Sequence, residues 1–128
     1  MELIIGGAFQ GKKEYALKKY PELTFQDGNE ISKEELMRAE GVYSFELFLK
    51  KELQDPEILE TLASELITQN PSIVLTVQEL GYGVVPVNAS DRAFREAVGR
   101  VCTELAAFSD TVTRVVCGIG QVIKQEKK

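Results

Sequence analysis

The 128-residue chain contains no histidine. That absence removes imidazole as a metal ligand, as a general base and as a carrier of phosphoryl or nucleotidyl groups. Cysteine is nearly absent too: Cys102 and Cys117 are far apart in sequence and lack the paired spacing of zinc or dithiol sites. Both sit in apolar segments and are expected as buried, reduced thiols. There is no excess of positive charge. The formal net charge is −5, which argues against a nucleic-acid partner because such binding needs a basic face. No apolar run approaches the roughly 18 residues of a membrane span, and the N-terminus shows no signal-peptide pattern. The expectation is a cytoplasmic protein without repeats or low-complexity tracts.

What is present is ordinary in composition, 44% hydrophobic and 27% charged, and long enough for one domain with a real core. The informative segment comes first. Gly6-Gly7-Ala8-Phe9-Gln10-Gly11-Lys12-Lys13 follows an apolar run, Leu3-Ile4-Ile5, and precedes the helical pattern of Glu14-Tyr15-Ala16-Leu17-Lys18. That is the G-x-x-x-x-G-K-[ST] phosphate-binding loop in its strand–loop–helix setting, with the last position altered. The glycines let successive backbone N–H groups converge on phosphate oxygens at a helix N-terminus. Lys12 would hold the outer phosphates. The hydroxyl that normally seats magnesium is replaced by Lys13, and an ammonium has no lone pair for a cation that takes oxygen ligands. Lys13 either enters the phosphate site or, the favoured reading, faces solvent from the helix. Binding of a nucleotide is thus easier to defend than catalysis, and whether magnesium accompanies it is open at this point.

The rest of the chain alternates strands and helices. A first helix is expected from 12 to 20, stopped by Pro21, then a short strand at Leu23-Thr24-Phe25 ended by the turn-forming Gln26-Asp27-Gly28-Asn29. Ser32-Lys33-Glu34-Glu35 is a capping box opening a short helix to about 38. A strand is expected over 41–45, a helix over 46–51, and a helix from the Asp55-Pro56 cap to Asn70. Ile73–Val77 is a continuous β-branched run typical of a central parallel strand. Ser90 is expected to cap a long helix with an apolar stripe of Phe94, Val98, Val101, Cys102, Leu105 and Phe108. Strands over 114–117 and 121–124 close a single α/β domain spanning 1–124, with 125–128 as a frayed tail. The alternation points to a P-loop-type three-layer domain with a mostly parallel central sheet. Ligands in such sheets sit beyond the strands' carboxyl ends, which singles out the residues after Ile5, Phe45, Val77 and Cys117.

Three further stretches are more specific: Leu75-Thr76-Val77-Gln78-Glu79-Leu80-Gly81-Tyr82-Gly83-Val84-Val85-Pro86-Val87-Asn88, the Arg92–Val101 helix segment, and Cys117-Gly118-Ile119-Gly120. Together with the opening loop they resemble the adenosylcobinamide kinase/adenosylcobinamide-phosphate guanylyltransferase family of cobalamin biosynthesis. The resemblance covers residues 1–20 and 72–124. It implies a P-loop fold, ATP or GTP as phosphoryl donor, adenosylcobinamide as acceptor and a homo-oligomer. The family transfers GMP through a histidine in a segment that is nearly deleted here, so that step is not expected.

Departures gather at the phosphate end. Phe9-Gln10 replaces the family's Arg-Ser, and Cys102-Thr103 its Asn-Gln. Its strand-end acid, which helps to hold magnesium, falls on Tyr43. Glu46 is the nearest acid downstream and reads as a solvated helix-start residue. No metal ligand is assigned.

Glu79 matches the acid of the family motif. It has three readings: a magnesium outer ligand, a base toward an acceptor hydroxyl, or an acid satisfied by the N–H groups of the Gly81–Gly83 turn. Arg92, Arg95 and Arg100 are expected to pair mostly with surface carboxylates, the alternative for Arg92 and Arg95 being phosphate or a neighbouring subunit. The leading expectation is therefore kinase-type phosphoryl transfer, with Lys12 and Glu79 as catalytic groups and Gly6 through Lys13 as the nucleotide cradle. The alternatives are a non-catalytic nucleotide- or corrinoid-binding subunit and a fold kept only for assembly.

Overall fold

The computed structural model describes residues 1–52, 56–79 and 89–126, excluding the side chains of Pro56, Ser90 and Asp91. The expected Asp55 cap, the Ser90 cap and the Gly81–Gly83 and Pro86 loop lie outside that set.

Chain order is β1 (Glu2–Gly6), α1 (Lys12–Lys19), β2 (Phe25–Asp27), α2 (Lys33–Leu36), β3 (Gly41–Tyr43), α3 (Phe45–Lys51), α4 (Pro56–Gln69), β4 (Val74–Gln78), α5 (Ala89–Phe108), β5 (Thr111–Val116) and β6 (Ile119–Gln125). The strands form one six-stranded sheet in the order β2-β3-β4-β1-β5-β6. Every pairing is parallel except β5 with β6, which is antiparallel. β1 thus lies inside the sheet, with Glu2 opposite Val74 on one side and opposite Thr111 on the other.

The unbroken apolar run of β1 reflects burial on both faces. Leu3, Leu75, Val77 and Val112 pack against α3, α4 and α5 through Phe45, Phe48, Leu62, Leu66, Val98, Val101 and Leu105. Ile4, Val74 and Val115 pack on the opposite face against Ala16 and Tyr15 of α1. The result is the expected α/β layering. Glu2 shares the α1 face. Its buried carboxylate is held by Lys19 at 2.9 Å, by Thr113 Oγ1 at 2.9 Å and by the Tyr20 hydroxyl. Burial and that carboxylate push the Tyr20 phenol above its ordinary range.

Boundaries differ from the sequence expectation where non-local pairing decides them. The second strand is 25–27 and not 23–25, because Phe25, Gln26 and Asp27 pair with Gly41, Val42 and Tyr43. Thr24 instead donates its N–H to Glu40 Oε1 at 2.8 Å. The capping box forms, with the Glu35 N–H donating to Ser32 Oγ at 3.1 Å and the Ser32 N–H to Glu35 Oε1 at 3.0 Å, but α2 ends at Leu36. β5 begins at Thr111, three residues before the expectation, through pairing with β1. β6 runs through Gln125, and the Glu126 N–H donates to the Asp110 carbonyl at 2.9 Å. Among the described residues no helix is long and apolar enough to cross a membrane.

Candidate functional site: the phosphate cradle and its surround

Parallel strands β2, β3, β4, β1 and β5 all end at one sheet edge, so the segments after them converge there. The loop from Gly7 to Gly11 leaves β1 at its centre. At Gly6 an added Cβ would lie 2.6 Å from the Val115 carbonyl oxygen, so only glycine lets the neighbouring strand approach. Gly11 caps α1 with φ 87, a left-handed conformation that favours glycine. The Lys12 side chain folds back over the loop, and Nζ donates to the Gly7 carbonyl at 2.8 Å. Burial lowers the Lys12 pKa, partly opposed by the carboxylates of Glu46, Glu79 and Glu14. Phe9 has φ 60 and points fully into solvent.

Gln10 straps the loop to the β5–β6 turn. Its Oε1 accepts the Cys117 N–H at 2.7 Å, and its carbonyl accepts the Gly118 N–H at 2.8 Å. Cys117 is exposed at φ 51, which corrects the expectation of a buried thiol: the apolar run ends in a turn there. Cys102 is half-buried on α5, and burial beside Glu46 pushes its thiol up to about 12.

Lys13 is exposed on the first turn of α1, yet it is not loose. Its Nζ lies 4.1 Å from the centroid of the Tyr43 ring at the end of β3. The backbone beneath Tyr43 is tightly held. Its carbonyl accepts the Gly28 N–H at 2.8 Å, and the next residue, Ser44, at φ 56, donates its N–H to Thr76 Oγ1 at 3.0 Å.

Glu46 departs from the sequence reading. It is 7% exposed, and its Oε1 accepts the Gln78 N–H at 2.9 Å, joining α3 to the end of β4. Its helix-start position suggested solvent, but packing of α3 on the sheet turns it inward. Glu79 is brought to the cradle by its backbone, whose N–H donates to the Gly6 carbonyl at 2.7 Å. Its carboxylate meets the Arg114 guanidinium, Oε1 at 3.0 Å from Nε and Oε2 at 3.4 Å from Nη2. Arg114 is a site residue that the sequence did not reveal. An arginine inside a strand, between Thr113 and Val115, is its only outward sign. Below Glu79, a cavity of about 290 Å³ runs between α5 and the sheet, with Ile5, Val77, Cys102 and Val112 in its wall and Arg95 at its edge. Arg92 and Arg100 are exposed on α5.

This donor set does not fit a divalent cation. The hydroxyl position carries an ammonium, β3 ends in an aromatic ring, and Glu79 is committed to Arg114. Glu46 has one oxygen on a backbone N–H. Among the described residues no cluster of three acidic or cysteine side chains is placed to hold a metal.

Residues 30–123 match the family model described as cobinamide kinase / cobinamide phosphate guanyltransferase. Over 52 residues the chain is 50% identical to the bifunctional adenosylcobalamin biosynthesis protein CobU of Salmonella typhimurium, a segment covering 41% of this chain and 29% of that protein. Over a segment of the same length and coverage it is 46% identical to the protein of that name from Escherichia coli. The chain thus covers well under two thirds of the length of these relatives. With the family model spanning most of its residues, the chain belongs to the cobinamide kinase / cobinamide phosphate guanyltransferase family.

Proposed function

We propose that this protein binds ATP or GTP in cobalamin biosynthesis and passes the terminal phosphate to an alcohol of adenosylcobinamide. One observation carries the reading. A glycine-rich loop at the carboxyl end of an interior parallel strand holds the Lys12 ammonium 2.8 Å from its own Gly7 carbonyl, where a phosphate oxygen would replace the carbonyl as partner. The names of the relatives point to the same pathway.

Phosphoryl transfer rests mainly on positioning and charge neutralisation. In this reading Lys12 draws the outer phosphates, and the backbone from Gly6 to Lys13 fixes their path. Glu79 orients the acceptor hydroxyl, with Arg114 holding its carboxylate in place. Guanylyl transfer through histidine has no acceptor in this sequence. The working protein is taken to be cytoplasmic and to assemble with copies of itself.

A second reading, a non-catalytic nucleotide- or corrinoid-binding subunit, draws on the commitment of Glu79 to Arg114, whose guanidinium occupies its carboxylate.

The test is transfer of labelled γ-phosphate from ATP or GTP to adenosylcobinamide, run beside a nucleotide-binding titration. Lys12→Ala should abolish both. Glu79→Gln should slow transfer by about 10²–10⁴-fold, the usual effect of losing a positioned base, while sparing binding. Binding without transfer in the unaltered protein selects the second reading, and absence of nucleotide binding refutes the kinase reading and the nucleotide-binding form of the second.

A further inference from the structure

P-loops that use magnesium hold it between a hydroxyl just after the loop lysine and an acid at the end of a nearby strand. In this chain Lys13 takes the first position and Tyr43 ends β3, and the two residues touch, Nζ to ring centroid 4.1 Å. The replacements suit each other. A carboxylate partner would cancel the ammonium charge, whereas a neutral ring holds the ammonium in place and leaves its charge available.

Lys12 is treated in the same way, since its Nζ hydrogen bond goes to a neutral carbonyl. Three carboxylates act on Lys12 through space, those of Glu46, Glu79 and Glu14, but Glu79 is paired with Arg114 and Glu46 has one oxygen on the Gln78 N–H. Lys12 and Lys13, neighbours at the start of α1, therefore hold their ammonium groups on uncharged direct partners, the Gly7 carbonyl and the Tyr43 ring.

We infer that the cradle takes a nucleoside triphosphate as its metal-free polyanion, with Lys13 supplying the charge that a divalent cation brings elsewhere. This rests on the nucleotide-binding reading above and changes what the bound species is. Magnesium acts here as a competitor: chelation lowers the negative charge of the phosphates and puts a hydrated cation against the Lys13 ammonium.

Calorimetric titration of ATP and of GTP into the full chain, once in EDTA and once in millimolar magnesium, tests this directly. Binding should be about tenfold tighter in EDTA, the scale of one charge-assisted hydrogen bond retained or lost. Lys13→Gln should erase that difference by weakening the EDTA arm. Lys13→Thr combined with Tyr43→Asp restores a hydroxyl and an acid and should reverse the preference. Should the double variant fail to fold, Tyr43→Leu serves instead, and loss of the ring should weaken the EDTA arm by a few-fold.

Binding that requires magnesium overturns the inference and leaves the nucleotide reading intact. Equal affinity in both buffers, or an EDTA arm indifferent to Lys13→Gln, overturns it too. Silence in both buffers removes the nucleotide reading along with it.

Discussion

Replacing Glu46 with alanine probes how the cradle is built. The carboxylate is 7% exposed and accepts the Gln78 N–H at 2.9 Å. In Glu46→Ala that part-buried donor loses its partner, at about 1–3 kcal/mol. One methylene of packing goes as well, about 0.8 kcal/mol. Freeing the chain from a desolvated carboxylate offsets part of this. The net loss is about 2 kcal/mol, which for a chain of this length lowers the melting temperature by roughly 6–10 °C. Glu46→Gln keeps an acceptor oxygen and nearly the same volume, so its loss should stay below about 1 kcal/mol. Thermal melts followed by circular dichroism at neutral pH compare the three proteins. An alanine variant melting within about 2 °C of the parent would refute the reasoning, because it is the behaviour of a solvated helix-start acid. If the glutamine variant fell as far as the alanine one, the charge and not the hydrogen bond would be the stabilising element.

Burial sets the Lys12 pKa below that of an ordinary lysine, so the folded protein releases this proton before a solvated lysine does. Nucleotide affinity measured against pH should be flat on the acid side and fall before the usual lysine range is reached; an affinity constant through that range would show that the ammonium is not needed. The Cys102 thiol is pushed up to about 12, so the unfolded chain ionises first. Its contribution to stability is complete below the ordinary thiol range and fades as pH rises through that range toward 12. In mass-spectrometric labelling with iodoacetamide at pH 8, exposed Cys117 should react well before Cys102, and equal rates would contradict the placement of Cys102 on α5. Gly28→Ala would bring a Cβ to 2.4 Å from the Ser44 carbonyl oxygen, so the Ser44 turn must shift; denaturant melts should show a loss of at least about 1–3 kcal/mol. Ser32→Ala removes one half of the capping box and should reduce stability by about 0.5–2 kcal/mol in the same assay.

Local chemistry was legible, while long-range partners were not. The capping box at Ser32 and Glu35 could be read because both hydrogen bonds lie within one helical turn. The apolar run at 73–77 gave β4 to within one residue, since a strand buried on both faces leaves an unbroken signature. The first loop announced itself through glycine spacing. In contrast, β2 was displaced by two residues because its ladder is set by Gly41–Tyr43, and no local pattern encodes that register. Glu46 was misread because an acid in a first helical turn is what the helix dipole favours whether or not it is buried. Arg114 with Glu79, Lys13 with Tyr43 and Gln10 with Cys117 each join residues from separate strands or loops. Such pairs exist only once the sheet has been assembled.

The position of β1 has a consequence for biogenesis. β1 is flanked in the sheet by two strands synthesised well after it, β4 and β5, with Glu2 opposite both Val74 and Thr111. Nascent chains stalled before β5 has emerged should leave one rim of β1 open, a sticky template for a neighbouring polypeptide. Synthesis should therefore lean on chaperone shielding until β5 appears, which arrest-peptide force profiling would register as a folding event only once β5 has emerged.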